Sequence, residues 1–179
     1  MRALWDFVDL HVTERNLREA LAREGTDGGR AEVLTQIARV RSLRGDHDAA
    51  HALVDEAATL AGDSEIAQAR VLLERGRILR LTGEAAAALP LFERAFEIAL
   101  ALHQHFVAVD AAHMCALAGD TPTWTESGLE LAERYPSASH WRATLLLNLG
   151  RWHWDRGEHR KALEVFRASL SADLMRPPS

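Results

Sequence analysis

The chain has one cysteine, one lysine, five prolines and eleven glycines among 179 residues, and each scarcity excludes something. A lone Cys115 cannot form an intramolecular disulfide, which fits a reducing compartment. So few prolines and glycines, with sparse β-branched residues, leave little to interrupt helices or to build a sheet. Ala, Leu, Arg and Glu dominate instead, all good helix formers. No apolar stretch approaches the length of a membrane span, and the opening MRALWDFVDLHVTER lacks the apolar centre of a signal peptide. A cytoplasmic protein without a membrane partner is expected. The net charge of -5 and a pI near 6.0 argue against nucleic acid as a partner. Lys161 is the only lysine, an arginine bias that a GC-rich genome suffices to produce and that carries no functional weight.

The apolar fraction of 47% and the length suffice for one shared core or a short repeat array. Trp5, Phe7, Val8 and Leu10 form an arm without a clean helical period, expected to pack on the first helices. Thr13 is the expected N-cap of a helix to about Glu24, and Gly25 to Gly29 reads as a loop. From Ala31 the chain repeats. Gly45, Gly83, Gly119 and Gly157 are separated by 38, 36 and 38 residues, and each is followed by an acid: Asp46, Glu84, Asp120 and Glu158. Such a glycine can end one helix in the left-handed conformation, and the acid favours the start of the next. Seven residues before each glycine stands a small residue: Ala38, Gly76, Ala112, Gly150. Five after stand Ala50, Ala88 and Ala162, and nine after stand Val54, Phe92 and Phe166. Small residues then face large ones, the pattern by which stacked helix pairs interlock.

A small residue in a first helix, a turn glycine with an acid, then alanine and an aromatic in a second helix resemble the tetratricopeptide repeat (TPR) family over about 31–173. The resemblance implies an all-α, right-handed α-solenoid of antiparallel helix pairs with a concave groove, about nine helices here. The implied layout is an arm and capping helix over 1–30, repeats at about 31–65, 66–104, 105–138 and 139–173, and a tail from 174. The arm and the phrases LLERGR and VDAAHM also resemble a group of bacterial cytoplasmic proteins of this family, a likeness that implies no particular activity.

The departures are specific. In the third copy Trp124 and Gly128 take the alanine and aromatic places, and a one-residue slip restores Leu129 and Ala132. Thr121-Pro122 accounts for a late helix start. The first-helix aromatic is replaced by Arg41, Leu79, Cys115 and His153; Arg75 stands at an apolar place; Pro90 should bend its helix or shift its start. The last second-helix, Glu158 to about Asp173, runs to the end without a polar capping element, so part of its apolar face is expected to lie uncovered.

The resemblance places the groove on first-helix residues around the small position: Gln36 and Arg39, Glu74 and Arg77, Asp110 and His113, Asn148 and Arg151, with Arg70, Arg80 and Trp154 on or near the same surface. Each pair is spaced i, i+3, so its members share a face. Arginine forks bind carboxylates bidentately, so a peptide or protein segment that is acidic or ends in a carboxylate is the expected ligand. The competing reading is a solvated face with local ion pairs, in which Glu74 neutralises Arg70 and Arg77. Trp5, Trp141 and Trp152 read as packing residues. His47 and His51, or Asp110 and His113, offer two metal ligands but no third, so no metal or cofactor is expected. Cys115 takes a core place and reads as a buried thiol. Glu74, Asp110 and His113 could form an acid–base group, yet no nucleophile elbow or phosphate loop accompanies them. The expected function is a non-catalytic protein-interaction scaffold; the alternatives are a self-associating homo-oligomeric module or a regulatory fragment of a longer protein.

Overall fold

Strong helix formers and few breakers produce helices nearly throughout. The computed structural model describes residues 4–6, 8–119 and 121–174, with Asp173 and Leu174 as backbone only. Phe7 of the arm, Asp120 after the third turn glycine, and the tail from 175 lie outside the described residues. Among those described there are nine α-helices and no strand: α1 Leu10–Arg23, α2 Asp27–Leu43, α3 His47–Ala61, α4 Glu65–Leu81, α5 Ala85–Ala101, α6 His105–Ala118, α7 Thr123–Arg134, α8 Arg142–Asp155 and α9 His159–Leu174. A 3₁₀ segment, Pro136–Trp141, precedes α8. None of these helices is long and apolar enough to cross a membrane. The chain divides into two units, residues 1–98 and 99–179.

Three of the four repeat glycines make the expected turn. Gly45, Gly83 and Gly157 take φ of +82°, +92° and +73°, the left-handed region open to glycine. The following residue then donates its backbone N–H back across the helix end: Asp46 to Arg41, Glu84 to Leu79, Glu158 to His153, at 2.8–3.0 Å. In two copies the acid also pairs with the side chain at that carbonyl's residue. Arg41 Nη1 meets Asp46 at 3.1 Å, and His153 Nδ1 meets Glu158 at 2.6 Å. The residues that replace the expected aromatic thus brace the turn. His153 and Lys161 hold the Glu158 carboxyl below its ordinary range. Gly119 differs, with an extended φ of -106°. Its partner helix α7 starts four residues on rather than two, with Thr121 Oγ1 accepting from Thr123 N at 3.3 Å.

The small-to-large contacts fix each pair. In the first unit Ala38 and Val54 share a buried cluster with Ala50, Ala57, Ala67 and Val71. A Cβ on Gly76 would overlap the ring of Phe92, which is fully buried. In the second unit a Cβ on Gly150 would overlap Phe166, which is only half-buried. In the third copy Gly128, not Leu129, lies against Ala112, 3.6 Å from where its Cβ would stand. The slip restores only part of the pattern: Thr125 and Ala132 are buried one place later than their counterparts, while Leu129 packs against Val109, Ala132, Ala138 and Leu145. Arg75, at an apolar place, reaches back from α4 to Asp55 on α3 at 2.7 Å. Pro90 lies inside α5 with its ring exposed, and the helix already begins at Ala85, so its start is not shifted.

Local expectations at the N-terminus need correction. Asp9, not Thr13, caps α1, accepting from the backbone N–H of His11 and Val12. A carboxylate there receives two donors, and these bonds hold Asp9 below its ordinary range. Thr13 is buried inside α1 and clamps the arm: its hydroxyl donates to Asp6 O and accepts from Asp6 N, both at 2.8 Å. Asp27-Gly28-Gly29 are not loop but the first turn of α2, capped by Thr26 Oγ1 accepting from Gly29 N at 3.1 Å.

Glu14 joins α1 to α2. Its buried carboxylate accepts from Arg18 at 2.8 Å, Arg41 at 2.5 Å and Arg44 at 2.9 Å. Burial alone pushes its pKa up, but the hydrogen bonds from Arg18 and Arg41 outweigh this and hold it below the usual range. On α9, Leu163 and Leu170 are 50% and 68% exposed, as the bare apolar face led us to expect.

This packing can be tested at two places. Ala at position 76 gains about 1 kcal/mol of helix propensity but meets a ring that cannot move, and overpacking costs about 1–3 kcal/mol. Gly76→Ala should therefore destabilise by urea denaturation, Phe92→Leu should recover part of the loss, and Gly150→Ala should be milder because Phe166 can yield. Glu14→Gln should cost roughly 1.5–3 kcal/mol, the value of hydrogen bonds to charged groups between partly solvated partners. Since Glu14 has a depressed folded pKa, its contribution is complete above the ordinary carboxylate range and is lost as pH falls from there through the lower folded pKa. Thermal melts of wild type and Glu14→Gln should converge in acid; a gap independent of pH would refute the assignment.

Candidate peptide-binding surface

The first helices of the pairs, α2, α4, α6 and α8, carry the groove residues expected from the sequence. In the first unit α2 and α4 are cross-linked. Arg70 Nε on α4 donates to Glu32 on α2 at 2.7 Å. Arg77 and Glu74 are both buried, 7% and 2% exposed, and form an ion pair one helical turn apart. Glu74 thus pairs with Arg77 as the local reading anticipated, but Arg70 takes Glu32 instead. Arg80 Nε is buried without a hydrogen-bond partner. Gln36 is buried and accepts from the indole N–H of Trp5 at 3.2 Å. The Arg39 guanidinium stands over the same indole, 5.5 Å from its centroid. Trp5 was expected to be a packing residue; it also covers the first pair of groove residues.

In the second unit the surface is aromatic rather than arginine-lined. His113 Nδ1 on α6 lies 2.7 Å from Asn148 Nδ2 on α8. This hydrogen bond links α6 to α8. Trp141, at the end of the 3₁₀ segment, sits 5.3 Å from the His113 ring, 5.7 Å from His140 and 5.9 Å from Phe106. Phe106 and His140 stack at 4.9 Å. The Trp141 indole N–H is buried without a hydrogen-bond partner. Asp110 is 4% exposed, deep in the α6 face. Arg151 is exposed. Trp154 is 55% exposed and leans on His159 at the start of α9, 4.5 Å away. Trp152 is half-buried, with the Arg156 guanidinium 3.9 Å over its ring.

Among the described residues no three His, Cys, Asp or Glu side chains converge as a metal site would require. Cys115 is fully buried. The sequence reading missed the joint role of Trp5 with Gln36 and Arg39, the Trp141 cluster on His113, and the Glu14 hub. Only the last left a trace: Arg41, a cation at an aromatic's place, needs a buried counter-charge.

No protein-family model matches the sequence, and no curated protein sequence does. Solved structures do. A crystal structure of a Podosopora anserina kinesin light chain-like protein with nearly identical TPR-like repeats superposes with a TM-score of 0.55 at 16% identity, covering 94% of this chain and 90% of that one. A single-substitution variant of that protein gives 0.57 at 16% identity, covering 91% and 86%. At this identity the likeness is one of fold. The fold is an all-α, TPR-like array of helix pairs.

The buried pair gives a prediction that separates structure from ligand binding. Arg77→Ala leaves a carboxylate buried without that guanidinium and should cost about 3–5 kcal/mol, whereas Glu74→Leu with Arg77→Met should cost far less. Denaturation of the three proteins checks it; equal losses would place the value in the charges themselves.

Proposed function

We propose that this chain is a non-catalytic protein-interaction scaffold, and that the faces of its first helices take a peptide or protein segment. The carrying observation is the exposed Arg151, one turn beyond Asn148 on α8, with no ion pair among the described residues. A free guanidinium beside an amide suits a carboxylate. TPR-like helix pairs present such faces on rigid elements, so a bound segment meets a surface already ordered. The ligand is acidic or ends in a carboxylate. Of the candidate cations, Arg151 serves it. Arg70 and Arg77 hold the scaffold through Glu32 and Glu74. Asn148 and the exposed Trp154 lie with Arg151 on α8. The single cysteine and the modest negative charge support a cytoplasmic setting.

A second reading, self-association, is favoured by the exposed Leu163 and Leu170. Light scattering on the purified chain decides it: a dimer or larger species supports self-association, and a monomer across micromolar concentrations removes it.

Arg151→Glu should lower capture of a partner from cell extract by at least about tenfold, roughly 1.4 kcal/mol. The circular dichroism of the variant should match wild type. Undiminished capture would sink the acidic-ligand reading.

A further inference from the structure

The arm is seated on α1 and α2 as a ligand would be. Leu4 and Trp5 pack against the core residues Leu17, Val33, Ile37 and Val40. Asn16 Nδ2 donates to Leu4 O at 3.4 Å, and Thr13 Oγ1 holds both backbone groups of Asp6. The contacts are of three kinds: an apolar pocket, main-chain hydrogen bonds, and polar groups matched to one side chain. The third kind is selective. Gln36 Oε1 is in a buried residue and takes the indole N–H, and the Arg39 guanidinium faces the ring. A phenylalanine there fills the pocket but leaves the buried acceptor unsatisfied, and an aliphatic residue also loses the cation–π contact.

We infer that the α1–α2 face, with Gln36 and Arg39, is a binding site for an extended segment bearing tryptophan, and that the chain's own arm occupies it in cis. The inference rests on reading the first-helix faces as peptide-binding. It adds that Trp5 and an incoming segment compete for the first pair of groove residues, so the arm tunes access to that end. The ligand chemistry is an aliphatic residue followed by a tryptophan, as in Leu4-Trp5.

The full-length chain tests this with a labelled synthetic peptide of the sequence of residues 1–9. In Trp5→Ala the seat is open, and fluorescence anisotropy should show saturable binding at least about tenfold tighter than to wild type. Replacing the peptide's own tryptophan by phenylalanine should weaken binding by about tenfold, the loss expected for one buried hydrogen bond. Gln36→Leu in the Trp5→Ala background should do the same. If Trp5→Ala loses helix content, Trp5→Phe keeps an aromatic ring in the seat, removes the donor, and should still bind the peptide more tightly than wild type. Equal binding to wild type and variant, or binding to neither, overturns the inference. Peptide binding alongside unchanged partner capture by Arg151→Glu would instead remove only the acidic-ligand reading.

Discussion

The close approach of α4 to α5 and of α8 to α9 constrains the rest of the molecule. At Gly76 and Gly150 a phenylalanine ring occupies the space a side chain would need. Glycine inside a helix sacrifices about 1 kcal/mol against alanine. That loss is offset because burying a phenylalanine contributes on the order of 1.5–3 kcal/mol. Where the large partner is smaller, the small one need not be glycine, and Ala38 opposite Val54 serves. In the third copy the roles reverse: Ala112 stands on the first helix and Gly128 on the second, with Leu145 of α8 reaching the gap. The distance between paired helices is thus set by summed side-chain volume, and composition varies around it.

Turns hold these pairs in register, and their chemistry reaches into the helices. The left-handed glycine lets the next residue's N–H cap the preceding helix, and the acid at that residue finds a side-chain partner one turn back, Arg41 in the first copy and His153 in the last. Arg41 does more: it meets both Asp46 and Glu14, tying a turn to α1. A residue that breaks the repeat's apolar pattern therefore performs a second task, joining the capping helix and its arm to the first pair.

The same economy limits what the first-helix faces offer a ligand. Buried charges are stable only when paired, and Glu74 with Arg77, and Arg70 with Glu32, satisfy that need within the scaffold. A charge engaged this way is a poor anchor, because a ligand would have to displace its partner. Exposure and partners, rather than position in the repeat, separate Arg151 from Arg77.

Residues close in sequence carried most of the fold. The four glycines in phase, the small residues before them and the alanines after them marked helix pairs, because helical spacing and turn geometry are local. Side-chain pairing between distant segments did not follow. Glu14 reaches Arg41 and Arg44 across 27 and 30 residues, Trp5 reaches Gln36 across 31, and His113 reaches Asn148 across 35. No periodicity encodes these meetings, since each depends on where two packed helices bring particular atoms. The sequence by itself determined that the chain is an all-α array of helix pairs and which residues stand on the first-helix faces. Only the tertiary structure decided which of those residues are buried, paired or covered by Trp5 and Trp141, because burial and electrostatic partnership are properties of the packed chain rather than of any one helix.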